Sequence, residues 1–474
     1  MSRASRRPSC AARVWIALCV TLALAVGVQC QADPLRGSPD ERYLTGLRSR
    51  RLFSLAERYC LQRLADPALT PSNRATLTIE LSRCFAEHAT WRSGREQDEL
   101  WQRAAAVVAE TLSDELEPSR RAPLVLQAAN VAAARGAWLR WTSELAPYDD
   151  ALRQQAIAHL QASFEAQRQA ETSITGLDRN AAQAAGSDLR LLSAEARFQT
   201  AVTSLDLARL LPTGIERTAA LHEADTRLTE LSRNPFFESR RTAARLLSAT
   251  TARLRDDHHG AMQLLDALSS TDHPVAIRQQ AAAESMRVEL DRGKPDAALL
   301  QLAEVERSTG SLSEELLCVG VEARLAARRQ SLQQGDTARA ATLLEQAVAI
   351  ETQIQGPWRA RSTAVLEFSR SIDEHGAELA PLILAARAAQ QHGDADAAIT
   401  RYRESALAAQ RSGRDELALD LQFSAASLLL QAGRHEDAAR DFLAVADAPI
   451  TTRSADAHLL FAYCRGKQWE ARPT

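Results

Sequence analysis

Apolar residues recur along most of this chain at spacings of three and four, the period of a helix with one buried face, while strand-like alternation never runs for a useful length. Tyr43, Leu44 and Leu47 make one such face, a turn falls at Arg50-Arg51, and Leu52, Leu55, Ala56, Tyr59 and Cys60 continue on a second helix. Ser38-Pro39-Asp40-Glu41 reads as a capping box with proline at the first helical position, so the first helix is expected there. Punctuation at Ser93-Gly94, Glu117-Pro118, Ala122-Pro123, Arg135-Gly136 and Ala146-Pro147 breaks the pattern too often for a long coiled coil. Ser173 to Asp188, with Gly176, Asn180, Gly186 and Ser187, is the expected loop, and Asn234-Pro235 a second break. The expected fold class is all-α, a succession of helical hairpins.

After about residue 255 one phrase recurs: a turn glycine, alanine five residues on, an apolar or aromatic residue four later, then a small or apolar one. It reads Gly293, Ala298, Leu302, Val305, then Gly335, Ala340, Leu344, Ala347, then Gly393, Ala398, Tyr402, Ser405, and finally Gly433, Ala438, Phe442, Val445. Glycine suits the left-handed residue between two helices, alanine lets backbones approach, and the aromatic fills the groove toward the neighbour. Ala261 and Leu265 before Pro274 look like a weaker copy, and Gly466 with Ala471 like the start of another. Leu459, Leu460, Tyr463 and Cys464 are expected to pack back on the Gly433 copy.

This phrase resembles the tetratricopeptide (TPR) motif, a unit of about 34 residues forming two antiparallel helices. The glycines lie 42, 58 and 40 residues apart, so either the helices are longer than the family norm or an extra helix is inserted between 350 and 380. Met286 and Arg328 also stand where the family has small residues. The expected organisation is a signal peptide over 1–32, a degenerate helical-repeat region over 33–254 and a TPR-like α-solenoid array over 255–474. In the family the first helix of each repeat lines a concave binding surface. Carried over on the glycines, the resemblance implies Ile383, Arg387, Gln390 and Gln391 in one repeat and Phe423, Ser427 and Gln431 in the next as partner-binding residues.

Composition agrees with a helical chain: 19 glycines, 16 prolines and 5% aromatics are all low. Only Lys294 and Lys467 among the 57 basic residues are lysines, a bias that reads as a GC-rich genome. Net charge is −3, and acids and bases are interspersed, which argues against nucleic acid as partner.

The N-terminus carries Arg3, Arg6, Arg7 and Arg13, then an uncharged run from Val14 to Val28, then Cys30-Gln31-Ala32. Fifteen residues make about 22 Å of helix, short of the roughly 30 Å of a bilayer core. The pattern is that of a secretory signal cleaved after Ala32, which places the mature protein in the periplasm or cell envelope, although an uncleaved anchor is the alternative. Cleavage would leave four of the seven cysteines: Cys60, Cys84, Cys318 and Cys464. Cys60 and Cys84, on consecutive helices, are either a disulfide or two small buried hydrophobes.

No phosphate loop, dinucleotide fingerprint, nucleophile elbow or Cys-x-x-Cys is present, so no catalytic residue, cofactor site or metal site is assigned. His222-Glu223 and His435-Glu436 begin like a zinc-protease helix, but Thr226 and Ala439 occupy the second histidine's place. Asp256-Asp257-His258-His259 reads as a solvated turn ahead of a helix, and Trp138 and Trp141 as residues packed between helices. The expected function is a non-enzymatic protein- or peptide-binding scaffold of the cell envelope, possessing no stable membrane span once cleaved. Self-association through the terminal half repeat is a further expectation. The alternative is a protein that binds or cleaves cell-wall glycan through its N-terminal half.

Overall fold

A computed structural model describes residues 38–470 except 93, 114, 181–185, 235–236, 238–239, 392 and 449–451, together with the backbone alone at 178–180 and 186–188. The arginines, the apolar run and the expected cleavage point after Ala32 lie outside the described residues. Twenty helices are described. The first eight are α1 (Pro39–Ser49), α2 (Phe53–Leu64), α3 (Pro71–Ala89), α4 (Gly94–Leu112), α5 (Pro118–Leu145), α6 (Asp150–Asn180), α7 (Gly186–Leu210) and α8 (Ile215–Arg233). Then come α9 (Arg241–Leu254), α10 (His258–Leu268), α11 (Val275–Asp291), α12 (Pro295–Thr309), α13 (Glu314–Gln333), α14 (Thr337–Glu351) and α15 (Gly356–His375). The last five are α16 (Leu379–Gln391), α17 (Ala395–Arg411), α18 (Asp415–Gln431), α19 (His435–Ala446) and α20 (Ser454–Glu470). Consecutive helices pack as hairpins, and no described helix is long and apolar enough to cross a membrane.

The first helix starts where the capping box places it. Ser38 Oγ accepts from the Glu41 N–H at 3.2 Å, and Glu41 Oε2 accepts from the Ser38 N–H at 2.6 Å, so two helix-end donors are satisfied reciprocally. Arg51, at φ 60°, makes the turn into α2. Asp257 caps α10, its Oδ1 accepting from the Gly260 N–H at 2.9 Å, which gives the acidic end of the Asp-Asp-His-His cluster a structural role.

Several expected breaks are not breaks. Helix α5 runs through Pro123 and Gly136, and α6 continues through Gly176 to Asn180. At Gly136 the glycine serves a crossing: a Cβ there would meet Leu160 Cδ2 at 2.9 Å and its backbone nitrogen at 3.3 Å. Glycine inside a helix costs roughly 1 kcal/mol against alanine, and close packing of α5 on α6 is what it allows. Gly466 likewise lies inside α20 instead of starting a turn. The long gap between Gly335 and Gly393 contains one additional helix, α15, between α14 and α16.

The helices group into two units. Unit 1 comprises residues up to Thr142 and Leu152–Thr363; unit 2 comprises Ser143–Ala151 and Ala364–Thr474. In unit 1, Leu44, Phe53, Ala56, Cys60, Leu81, Cys84, Phe85 and Trp101 share one apolar cluster. Cys60, Cys84, Cys318 and Cys464 are free thiols, all buried. Burial pushes the Cys60 thiol up to about 12 and the Cys84 thiol up as well, so neither is poised as a thiolate nucleophile. Unit 2 has its own core, in which Ile383, Ala398, Tyr402, Ala426, Leu429, Ala438 and Phe442 meet.

Candidate partner-binding site

The hairpins of unit 2 are built on a repeated helix ending. Gly393 and Gly433 have φ of 77° and 75°, and the residue after each closes the turn: Asp394 N–H donates to Ala389 O at 3.0 Å and Arg434 N–H to Leu429 O at 2.9 Å. This is the Schellman arrangement, which satisfies carbonyls that the helix end leaves free. Gly413 repeats it between α17 and α18, with φ 72° and Arg414 N–H on Ala409 O at 2.9 Å, a turn that the recurring phrase does not mark because Ala418 follows at the fifth position but polar Gln422 stands four residues later, where the phrase has an apolar or aromatic residue. Ala398 and Ala438 are fully buried at the helix crossings, and Tyr402 and Phe442 fill the core as the pattern expects.

The seven residues implied by the resemblance fall into three groups. Arg387, Gln390, Gln391 and Gln431 are exposed, and Gln390 Oε1 accepts from the Tyr402 hydroxyl at 2.9 Å. Ile383 is 1% exposed and belongs to the core, so it holds α16 in place instead of meeting a ligand. Phe423 stands against Phe442, ring centroids 5.4 Å apart, under the Arg453 guanidinium at 4.9 Å, and the Ser427 hydroxyl donates to the Phe423 carbonyl of its own helix at 2.9 Å.

A cleft of about 460 Å³ in unit 2 uses none of these residues. Helix α17 contributes Arg403 and Leu407, α18 contributes Leu419 and Gln422, and α19 contributes Asp441. Leu407 is 54% exposed, an apolar side chain without cover. Arg403 and Asp441 form a fork across the cleft, Nη2 to Oδ2 at 2.7 Å and Nε to Oδ2 at 3.1 Å. Apolar lining with a few fixed polar groups is the chemistry of a site that takes side chains of a peptide or protein surface. Sequence reading missed it because its lining comes from a second helix, a first helix and the next second helix, whereas the family pattern directs attention to first helices alone.

In unit 1 ion pairs join alternate helices in three groups. Arg140 on α5 meets Asp206 on α7 at 3.1 Å, and Arg209 meets the same carboxylate at 3.1 Å. Arg253 on α9 meets Glu284 on α11 at 2.7 Å; Arg287 reaches Glu284 at 3.2 Å and Glu315 on α13 at 2.8 Å. Arg361 on α15 meets Glu322 on α13 at 2.7 Å. Between α5 and α15 the contact is aromatic: Trp141 and Trp358 stand edge to face at 5.2 Å, with Arg361 over the Trp141 ring at 5.6 Å and Arg287 over that of Trp358 at 5.8 Å.

Burial raises the Glu284 carboxyl, but the Arg253 and Arg287 guanidiniums outweigh this and hold it at about 2. A carboxyl depressed in the folded state adds stability that is complete above its unfolded value near 4.5 and is lost as pH falls toward 2. Glu284→Gln is therefore expected to flatten part of the acid limb of a stability profile, measured by urea unfolding between pH 5 and 2 (roughly the window of that linkage). An acid limb of unchanged slope in the variant would contradict this assignment.

The fold defines the class of protein, a helical repeat protein made of hairpins with TPR-like turns. No known family model matches the chain, and no curated protein matches it. Among solved structures it is similar to the apo form of RapI, at 11% identity over 84% of this chain and 99% of that one, with a TM-score of 0.34. It is also similar to human IFIT1, solved as a dimer with m7Gppp-AAAA, at 11% identity over 92% of both chains and a TM-score of 0.29. A circular tandem repeat protein of novel repeat topology matches at 15% identity over 91% and 90% of the two chains, with a TM-score of 0.19. Scores this low carry no argument about function, and the class rests on the hairpins and turns themselves.

Proposed function

We propose that this chain is a non-enzymatic scaffold of the cell envelope that holds a protein or peptide partner in the cleft of α17, α18 and α19. The observation that carries this reading is the uncovered Leu407 beside the Arg403–Asp441 fork: an apolar contact and an oriented polar pair on rigid helices. The arginine-led apolar segment before Ala32 supports export.

The test is a photo-reactive amino acid placed at position 407 and, separately, at Leu300, which is 73% exposed on α12 in unit 1. A discrete adduct is expected at 407 and not at 300, and Arg403→Glu is expected to reduce it while leaving the far-ultraviolet circular dichroism unchanged. Adducts confined to a third site at Arg387 would move the partner to the α16 face and sink the cleft.

A further inference from the structure

Helix α20 turns an apolar face outward that no described residue of unit 2 covers. Ala457 and Cys464 point inward and are buried, and Leu460 and Phe461 pack against the same core. Leu459 and Tyr463, expected to pack back with them, are instead 70% and 51% exposed, because they lie on the opposite side of the helix, four residues apart. Trp469 is 82% exposed on the last turn. Between these large groups the outward face carries small residues: Ala455, Ala462 and Gly466.

Gly466 is the second observation. A Cβ built there would meet nothing within 4 Å, and its φ is not in the left-handed region, so neither packing within the chain nor backbone conformation calls for glycine. A glycine within a helix sacrifices roughly 1 kcal/mol against alanine, and close approach of another helix is the use of such a position at Gly136, where a Cβ would collide. Two opposite charges also flank this face, while Arg465 and Glu470 are further charges near the end of the helix. Asp456 stands near its start and Lys467 near its end, the latter 5.8 Å from the Tyr463 ring at the edge of the same face.

We propose that this face is the two-fold interface of a homodimer, formed by antiparallel packing of α20 on α20 of a second copy. A two-fold axis near Phe461 and Ala462 sets each Leu459 against the other copy's Tyr463 and each Asp456 beside the other copy's Lys467. Lys467, paired in the single chain with Glu470 at 2.9 Å, exchanges that exposed contact for one across the interface. A second copy is the occupant because Asp456 and Lys467 meet as opposite charges when α20 is reversed on itself, and a two-fold interface requires one patch to match itself.

The test is the mass of the full-length protein by light scattering over a range of concentrations. The mass is expected to rise from the 51.8 kDa of one chain toward twice that value. Leu459→Asp with Tyr463→Asp changes only exposed positions and is expected to hold the protein at the single mass with unchanged circular dichroism. Asp456→Lys alone and Lys467→Asp alone are each expected to weaken association about tenfold, since symmetry counts each change twice, and the two together to restore it. A single mass at every concentration, or a dimer indifferent to the Leu459 and Tyr463 changes, overturns the interface. Failure of the double charge swap to rescue overturns the antiparallel register.

Discussion

Glu284→Ala is expected to destabilise unit 1 by about 3–5 kcal/mol, measured as a shift of the urea unfolding midpoint at neutral pH. The size follows from what the change leaves behind. Arg253 and Arg287 both direct guanidiniums at this carboxylate, at 2.7 and 3.2 Å, and only 6% of the Glu284 side chain is exposed. Removing the acid strands two cations away from water, one of which retains Glu315 while the other keeps only the more exposed Asp291. A concerted change to Glu284→Met and Arg253→Met is expected to recover much of the loss, because buried ion pairs commonly do little better than well-packed apolar side chains. On that basis these ion pairs contribute which helices meet more than how tightly they hold. A double variant as unstable as Glu284→Ala would show that the charges carry net stability instead.

The second large effect is expected at Phe442. Its side chain is fully buried between α18 and α19, in contact with Phe423 at 5.4 Å, and Phe442→Ala is expected to cost about 3–5 kcal/mol from lost transfer energy and the cavity it leaves. The same core seats α19, whose Asp441 completes the fork with Arg403, so partner capture at position 407 is expected to weaken with it. Leu459→Ala is the contrasting control. That side chain is 70% exposed on α20, and its truncation is expected to change stability by no more than about 0.5 kcal/mol. Equal losses at the two positions would mean that the burial assigned to one of them is wrong.

These two sites also divide what was legible in the sequence from what was not. Phe442 belongs to the recurring phrase, and local rules suffice to find it: a glycine at positive φ, an alanine at the crossing, an aromatic one turn on. The capping box at Ser38 is legible for the same reason, since its partners lie three residues apart. Gly136 and Gly176 read as breaks because a glycine inside a helix and one at a turn look alike until the neighbouring helix is known; of the two, Gly136 alone has Leu160 standing against it. The ion pairs between helices are not legible in the sequence. Arg140, Glu284 and Arg361 read as ordinary helix-surface charges, and only the packing of α5, α7 and α9 with α11, α13 and α15 joins them, through side chains hundreds of residues apart such as Trp141 and Trp358. Of the seven surface residues implied by the TPR resemblance, the register put Ile383 on the wrong side of its helix for contact with a ligand, since α16 buries that side against α17 and α18.

The measurement that most directly tests the scaffold reading is hydrogen–deuterium exchange of the full-length protein, alone and with the partner captured at position 407. Slower exchange is expected across residues 403–422 on α17 and α18 and 441–448 around α19, the segments that line the cleft, with α9 to α13 of unit 1 unchanged. Protection confined to unit 1, or none in unit 2, would contradict a scaffold that binds through this cleft.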